Sequence, residues 1–294
     1  MLTDLSRNKV EQLISCPKCF EALSGSAELI CSSCGEKYPI ISGIYAPIID
    51  QAIQKILSDS KRKSLKERIK ATIPIPDERL WTRQAKMVIT RILKEKDPDD
   101  EKTFVINMGS GLEAFYNNIF KPYQGLIRIG IPHNGEVNAY GDAMALPLKN
   151  DSVDLFIASS VIEHLPDPEK AVSELFRTIK PDGLIYAEIP FIGAYHMAPH
   201  DYQRYTISGI ESLFKRHGFI LVEKGICSGP VTALVLLLQH AIVEAIPWGP
   251  PQYVVRLILT WILHPLKYLD FVFGQSIWGE YLACNFFYLG RKPN

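Results

Sequence analysis

The chain is 294 residues long and 47% hydrophobic, enough apolar material for one full core and a small appended module. Lys and Arg together number 32, and so do Asp and Glu, so overall charge singles out no class of partner. The sequence does not begin with a hydrophobic run of the signal-peptide kind. We therefore expect a cytoplasmic protein, in which closely spaced cysteines bind metal rather than form disulfides.

Two C-x2-C pairs lie within residues 1–50, which we predict to form a zinc ribbon. Tetrahedral zinc takes four thiolates, and two tight turns supply them in pairs. We therefore predict one structural zinc with no open coordination position; a disulfide and a thioredoxin-like redox pair are the disfavoured alternatives. Strands of the ribbon are expected at 28–30 and 37–41. The predicted zinc ligands are Cys16, Cys19, Cys31 and Cys34.

A helical connector is predicted over residues 51–102. Its first part carries a run of Lys and Arg between Lys55 and Lys70. A solvated helix face is the plain interpretation of this run, and contact with RNA phosphates or with an anionic membrane surface are the alternatives. A second helix is expected from Leu80 to Leu93, before the sheet begins.

From Phe104 onward, strands and helices alternate. A short apolar strand at 104–106 runs into the glycine turn Gly109-Ser110-Gly111, and the following residues show helical periodicity as far as Ile119. A glycine turn that opens a helix lets a ligand approach the backbone and offers it unpaired N–H groups. This geometry is typical of phosphate- or nucleoside-binding sites.

The pattern continues with strands predicted at 126–131, 153–158 and 184–191. A helix begins between the last two with Asp167-Pro168 as its cap and first residue, and we expect residues 181–183 to end it. Such alternation predicts a parallel sheet, and ligands bind beyond the carboxyl ends of parallel strands. The residues expected to surround one crevice at these ends are 109–111, Asp142, 159–164 and 191–204.

These segments resemble the class I S-adenosylmethionine-dependent methyltransferases, in particular those with a type-11 methyltransferase domain. The resemblance covers about residues 102–228, and the N-terminal segment around Tyr38-Pro39-Ile40 is similar to the Trm112-like zinc ribbons found beside or fused to methyltransferases. It implies a Rossmann-like, doubly wound α/β sheet of seven strands over residues 103–294, with S-adenosylmethionine as cofactor. The motifs that carry it are Asn107–Gly111, Gly141–Leu148, Ser152–Asp154, Val161–Leu165 and Leu175–Gly183.

The resemblance also implies roles for individual residues. The glycine turn would contact the methionine part of the cofactor, and Asp142 would accept a hydrogen bond from the adenine amino group. The full set assigned to the cofactor is Gly109, Ser110, Gly111, Asp142, Ala143, Ser159 and Ser160.

Two positions depart from the family pattern. Leu112-Glu113 replaces the third glycine of the turn, and Gly130 stands where the second strand usually ends in a ribose-binding carboxylate. Loss of such a hydrogen-bonding partner costs about 1–3 kcal/mol. Weaker cofactor binding, substitution by Asn134 or Glu136, and a catalytically inactive relative are the alternatives that follow.

A polar, aromatic loop follows the strand at 184–191. His196 or His200 is a candidate general base, Asp201 would orient the imidazole, and Arg204 would bind a substrate carboxylate or phosphate. The alternative is an internal Asp201–Arg204 ion pair, with Thr206 capping the next helix. Similar loops occur in bacterial methyltransferases linked to glycan or lipid pathways.

Residues 231–282 are predicted to form a hydrophobic helical insertion between a sixth strand at 219–223 and a seventh, antiparallel strand at 286–291. Along 254–267 the polar residues fall on one narrow stripe of an apolar helix. Neither apolar run predicts a membrane span, and a single span would place the last strand across the membrane. We expect an interfacial hairpin or a lid over a hydrophobic substrate. A dimer interface or an additional core layer is the alternative.

The sequence therefore predicts an S-adenosylmethionine-dependent methyltransferase that acts on a small-molecule, saccharide or lipid-linked acceptor. A peripheral contact with the inner face of the membrane and a homodimer are further expectations. An rRNA methyltransferase is the first alternative, disfavoured by the balanced charge and by Ser159-Ser160-Val161 where an Asn-Pro-Pro-type motif would stand. A catalytically inactive scaffold that binds partners is the second.

Overall fold

The fold comes from a computed structural model that describes residues 3–41, 43–48, 80–109, 119–120, 122–130, 137–197, 199–247, 249–273 and 279–294. Its helices are α1 (Asp4–Leu13), α2 (Arg83–Glu95), α3 (Pro168–Thr178), α4 (Ile207–Arg216), α5 (Pro230–Glu244), α6 (Pro250–Leu263) and α7 (Asp270–Phe273). Its strands are β1 (Leu23–Ser24), β2 (Glu28–Cys31), β3 (Lys37–Ile41), β4 (Ile44–Tyr45), β5 (Val105–Met108), β6 (Ile127–Gly130), β7 (Ala139–Tyr140), β8 (Val153–Ser159), β9 (Ile179–Pro190), β10 (Ile220–Ser228) and β11 (Asn285–Arg291).

The described strands form one sheet in the order β1-β2-β3-β4-β7-β6-β5-β8-β9-β11-β10. The run from β7 to β9 is parallel, and β11 enters antiparallel between β9 and β10. The seven strands from β7 to β10 make the predicted Rossmann-like sheet, with the last strand returning antiparallel as expected. The four ribbon strands extend this sheet at its β7 edge.

Helices cover both faces of the sheet, because successive strand residues point to opposite sides. On β8, Phe156 packs in the cluster that contains α1, α3 and α4, whereas Leu155 and Ile157 pack in the cluster that contains α2. All three side chains are completely buried. Removal of each such side chain from water contributes about 1.5–3 kcal/mol. The doubly wound α/β architecture predicted from the strand and helix pattern is therefore confirmed.

The ribbon is joined to the sheet on two sides. Tyr45 on β4 pairs with Ala139 on β7 in parallel register. Helix α1 buries Val10 and Leu13 in the main cluster, and the buried Lys9 Nζ donates to three backbone carbonyl oxygens of the loop before β5 at 2.6–2.8 Å. The division at residue 50 stays a prediction, and within that first segment α1 packs on the sheet.

The predicted boundary between α3 and β9 and the predicted end of β10 differ from the observed elements. Helix α3 ends at Thr178, whose hydroxyl donates back to the Glu174 carbonyl, so Ile179 is extended and pairs with Val153. The expected helix end at 181–183 is therefore wrong: these residues form an irregular part of β9, where Asp182 has a φ of 60°. Strand β10 continues to Ser228 because it pairs with β11 along that length. The predicted caps, Asp167 on α3 and Thr206 on α4, are both present.

The hydrophobic insertion forms a hairpin of α5 and α6 in which polar side chains of the two helices bond to one another. Gln239 Nε2 on α5 donates to Thr260 Oγ1 on α6 at 2.6 Å, and Arg256 reaches Glu244 at 3.0 Å. Asp270 accepts hydrogen bonds from the Val231 and Thr232 N–H groups at 2.8 Å and so caps the N-terminus of α5. Several large apolar side chains of the two helices are instead exposed: Leu234, Leu238, Val254, Ile258, Trp261 and Ile262. None of the described helices is both long and apolar enough to cross a bilayer.

Candidate active site and cysteine cluster

The carboxyl ends of β5, β7, β8 and β9 meet at one edge of the sheet, as parallel register requires. Gly109 directly follows β5, Asp142 lies two residues after β7, and Ser160 directly follows β8. A Cβ built on Gly109 would stand 3.9 Å from the Ser159 carbonyl oxygen, which shows how closely these ends approach. The sequence-predicted cofactor residues that the structure describes therefore lie along one edge of the sheet. Ser110 and Gly111 lie outside the described residues, as do Asn134 and Glu136.

Gly109 holds a conformation that other residues adopt only at a cost. Its φ is 82°, and its N–H donates to the Ile129 carbonyl at 3.1 Å. A Cβ at this position would lie 2.2 Å from Cγ2 of Val161. Glycine at position 109 thus lets the turn pass directly against the segment that follows β8.

Asp142 and Ala143 lie in a tight turn after β7 and are both largely buried. The Met144 N–H donates to Asp142 Oδ1 at 2.8 Å, and the Ala145 N–H donates to the Asp142 carbonyl at 3.0 Å. These bonds fix the carboxylate at the sheet edge. A carboxylate oxygen accepts more than one hydrogen bond, so Asp142 can also serve a ligand donor.

The two serines after β8 are also buried. Ser160 has a φ of 53°, and its N–H donates to the Glu188 carbonyl at 2.9 Å. Ser159 Oγ is buried and has no hydrogen-bond partner among the described residues. Since a buried hydroxyl without a partner is costly, this atom fits a site that a polar ligand completes.

The polar loop after β9 is folded back on itself. Arg204 contacts both carboxylate oxygens of Asp201, at 2.5 and 2.7 Å, and the His196 N–H donates to Asp201 at 2.8 Å. Burial works against ionisation of Asp201, but the hydrogen bonds from Arg204 and His196 outweigh it and lower its pKa to about 2. This pairing favours the internal ion pair that the sequence left as an alternative for Asp201 and Arg204. His200 is exposed, and its Nδ1 lies 3.1 Å from the Tyr202 hydroxyl.

The loop packs against a short 3-10 turn that follows β8, and here the structure adds residues that the sequence did not assign. The Tyr202 N–H donates to the Glu163 carbonyl at 2.9 Å, and His164 Nδ1 lies 2.5 Å from the His200 carbonyl. Ligand-type atoms of Glu163, His164 and His196 all lie within 4.8 Å of one another. The adjacent Glu163 and His164, four and five residues after the end of a buried strand, are the signal in the sequence, and the distant His196 completes the group.

The four ribbon cysteines converge as predicted, with their sulfur atoms all within 4.8 Å of one another. Cys16 Sγ lies 3.7 Å from Cys34 Sγ, and Cys19 Sγ lies 3.4 Å from Cys31 Sγ. A tetrahedral zinc with bonds of about 2.3 Å places its sulfur ligands about 3.8 Å apart, so the spacing fits zinc and not a disulfide. Hydrogen bonding from the Cys34 and Ser33 backbone N–H groups outweighs burial and lowers the pKa of Cys31 to about 6, which favours the thiolate.

Residues 130–187 match the family model described as "Methyltransferase domain". The matched segment runs from the end of β6 into β9 and contains Asp142, Ser159, Ser160 and Glu163.

Proteins described as uncharacterized methyltransferases are similar to parts of the chain. One from Mycobacterium bovis is 50% identical over 42 residues, which cover 14% of this chain and 16% of the relative. One from Mycobacterium leprae is 45% identical over 95 residues, which cover 28% of this chain and 35% of the relative. The chain thus spans about a third or less of the length of these relatives.

Among solved structures, an S-adenosylmethionine-dependent methyltransferase from Archaeoglobus fulgidus has a TM-score of 0.41 and 16% identity, over 71% of this chain and 94% of that one. Phosphoethanolamine N-methyltransferase 2 from Haemonchus contortus, in complex with S-adenosyl-L-methionine, has a TM-score of 0.45 and 17% identity, over 71% of this chain and 53% of that one.

Proposed function

We propose that the chain transfers a methyl group from S-adenosylmethionine to a small-molecule, saccharide or lipid-linked acceptor. The observation that carries the proposal is that Gly109, Asp142 and Ser159 lie at the same carboxyl edge of the sheet, two of them inside the segment that matches a methyltransferase domain. The left-handed glycine, the fixed carboxylate and the buried serine hydroxyl fit a nucleoside ligand with a polar amino-acid tail.

Each of these residues has a proposed role. The main chain at Gly109 lies against the methionine part, Asp142 accepts from the adenine amino group, and Ser159 and Ser160 line the floor of the crevice beside Ala143. The bound cofactor supplies an electrophilic methyl group on its sulfonium. The protein's own part is to hold the acceptor atom in line with that methyl group and to exclude water.

A substitution that keeps the shape of the side chain tests the adenine contact. Asp142→Asn keeps an oxygen for the Met144 N–H but turns a donor towards the adenine amino group. Loss of this hydrogen bond costs about 1–3 kcal/mol, or about 5- to 150-fold in affinity for S-adenosylmethionine. Asp167→Asn is the matched control, because it removes the same charge in the same segment and asparagine still caps α3. Equal affinities for the two variants would remove Asp142 from the site.

For proton transfer we propose His200 as the general base. Its ring is exposed at the crevice loop, whereas His196 Nδ1 is held between the Ala194 carbonyl at 3.2 Å and Asp201 at 3.4 Å. Asp201 and Arg204 then act as positioning residues that fix the loop. His200→Gln is expected to lower kcat with little change in KM. A KM effect alone would assign His200 to acceptor binding instead.

We further propose that the ribbon binds one structural zinc through Cys16, Cys19, Cys31 and Cys34. The sulfur spacing supports this, and four thiolates leave no position for substrate. Metal analysis of the purified protein is expected to find about one zinc per chain, lost in Cys16→Ser. A control change at the buried Cys227, which lies on β10 outside the cluster, keeps the zinc. A disulfide among the four cysteines would contradict the proposal.

The exposed apolar side chains of the hairpin point to a lipid surface as the place of action. Polar groups of α5 and α6 bond to one another, and Trp261 and Ile262 are 52% and 64% exposed. Apolar side chains exposed on both helices suit a helical pair that lies in a membrane interface. The basic run at 55–70 and Trp248 and Trp278 lie outside the described residues.

Vesicle sedimentation tests the lipid contact. Binding to vesicles that contain anionic lipid is expected to weaken in Trp261→Asp and to persist in Met87→Asp, which changes an exposed apolar residue on α2. A protein that ignores vesicles and forms a dimer that Trp261→Asp dissociates would show that a second copy covers this surface.

A further inference from the structure

Three side chains with metal-binding atoms converge beside the proposed cofactor crevice: Glu163, His164 and His196. Their ligand atoms lie within 4.8 Å of one another, and Glu163 Oε1 is 3.7 Å from His164 Nε2. The two imidazole rings meet edge to face with centroids 4.8 Å apart. A metal with bonds of about 2.1 Å holds its ligand atoms about 3–4 Å apart, so side-chain movements of less than about 1 Å close the group on an ion.

The outer nitrogens of both histidines are already positioned by the protein. His164 Nδ1 lies 2.5 Å from the His200 carbonyl oxygen, which places the proton on Nδ1 and leaves Nε2 as the basic nitrogen. His196 Nδ1 lies 3.1 Å from Arg204 Nη2, 3.2 Å from the Ala194 carbonyl oxygen and 3.4 Å from Asp201 Oδ2, so the loop fixes this ring through Nδ1. Metal-binding histidines usually donate their second N–H to a carbonyl or carboxylate, as His164 does here.

Burial and the kind of side chain also suit this group to ligation. The Glu163 side chain is completely buried, whereas the side chains of His164 and His196 are 13% and 25% exposed. Arg204 is paired with Asp201, and its Nη2 lies 3.1 Å from His196 Nδ1. One carboxylate and two neutral imidazoles would give a bound divalent ion a ligand set with one negative charge.

We propose that Glu163, His164 and His196 bind one divalent transition-metal ion and leave coordination positions open towards the crevice. Two imidazoles and one carboxylate suit zinc, iron(II) or cobalt(II). The group adjoins the cofactor turn, because Val161, two residues before Glu163, lies against Gly109. The open positions take oxygen atoms of the acceptor, which selects acceptors with a hydroxyl group and a second oxygen in chelating reach.

The role of the ion in methyl transfer rests on the proposed function. Coordination lowers the pKa of an acceptor hydroxyl. The hydroxyl proton is transferred to His200 and then to water. The acceptor oxygen forms a bond to the methyl carbon of S-adenosylmethionine as the bond between that carbon and sulfur breaks. The bonding electrons of that bond stay on sulfur, and the products are a methyl ether, a neutral thioether and one proton.

Calorimetric titration of the zinc-loaded protein with Co²⁺ tests the site directly. One Co²⁺ per chain is expected to bind without the intense sulfur-to-cobalt absorption that exchange into the cysteine cluster would produce. Glu163→Gln and His196→Gln each remove one ligand and are expected to weaken binding at least about tenfold, since loss of an outer partner alone costs 10- to 100-fold. His200→Gln is the matched control, because it changes a neighbouring histidine whose side chain is outside the group.

The outcomes separate this proposal from the proposed function. Absence of Co²⁺ binding, or binding that survives both ligand variants in folded protein, overturns the metal site. His196 lies in a loop, so its variant remains informative if the buried Glu163→Gln fails to fold. S-adenosylhomocysteine binding without Co²⁺ binding would leave the methyltransferase proposal intact, and Co²⁺ binding alone would leave the metal site without a role in methyl transfer.

Discussion

The close contact between Gly109 and Val161 predicts a large and specific cost for Gly109→Ala. The left-handed φ of 82° costs alanine about 1–2 kcal/mol. The added Cβ would stand 2.2 Å from Val161 Cγ2, where carbon atoms prefer about 3.5–4.0 Å, so Val161 must move by more than an ångström. Overpacking of this kind costs a further 1–3 kcal/mol. The free energy of unfolding is therefore expected to fall by about 2–5 kcal/mol.

A double-mutant cycle measured by urea unfolding separates the cost of the left-handed backbone from the cost of overpacking against Val161. Val161→Ala removes Cγ2, and the remaining Val161 Cβ lies 3.6 Å from the built atom, an ordinary contact. The Gly109→Ala/Val161→Ala pair should thus recover about 1–3 kcal/mol relative to the sum of the single variants and retain the backbone term. Gly193→Ala is the control, since nothing lies within 4 Å of its built Cβ. Simple additivity of the two single changes would refute the close approach of the turn to the segment after β8.

Three further predictions concern the elements around the site. Lys9→Met leaves three carbonyl oxygens without their donor and should reduce the free energy of unfolding by about 2–4 kcal/mol in urea, whereas the exposed Lys149→Met should change it by less than about 1 kcal/mol. Asp270→Ala removes the cap of α5 and should cost about 1–2 kcal/mol; unchanged amide-exchange protection at Val231 and Thr232 would argue against the cap. Hydrogen bonds from Arg216 and His217 lower the pKa of Glu169 in the folded protein, so its contribution is present above the ordinary glutamate pKa and is lost as pH falls through the lowered value. Because Glu169 is half exposed, Glu169→Gln should flatten the acid side of the stability profile by less than about 1 kcal/mol, and an unaltered profile would contradict the pairing.

The sequence predicts the sheet well because its strands are buried on both faces. A strand such as Val153–Ser159 reads as a continuous apolar run, and the proline and acid at 167–168 locate the start of α3. The end of α3 was placed too late because Ile179 continues the apolar spacing of the helix. Its extended backbone is set by pairing with Val153, a contact that lies 26 residues away and has no local signal.

Contacts between distant residues also limit how much of the site the sequence can predict. Residues that follow strand ends, such as Gly109 and Asp142, are predictable because parallel register brings strand ends together. The roles of residues in the loop after β9 cannot be predicted in this way, because the fold of the loop decides whether Arg204 faces a ligand or Asp201. The Glu163 group was missed for a related reason: its third member, His196, lies 33 positions along the chain and approaches only through the packing of that loop.

Calorimetric titration of the wild-type chain with S-adenosylhomocysteine tests the central claim most directly, because it needs no knowledge of the acceptor. Saturable binding at about one ligand per chain is expected, with affinity reduced about 5- to 150-fold in Asp142→Asn. No heat of binding at millimolar ligand, from protein that unfolds cooperatively and retains its zinc, would contradict the claim. It would favour instead the catalytically inactive scaffold that the departures at Leu112-Glu113 and Gly130 left open.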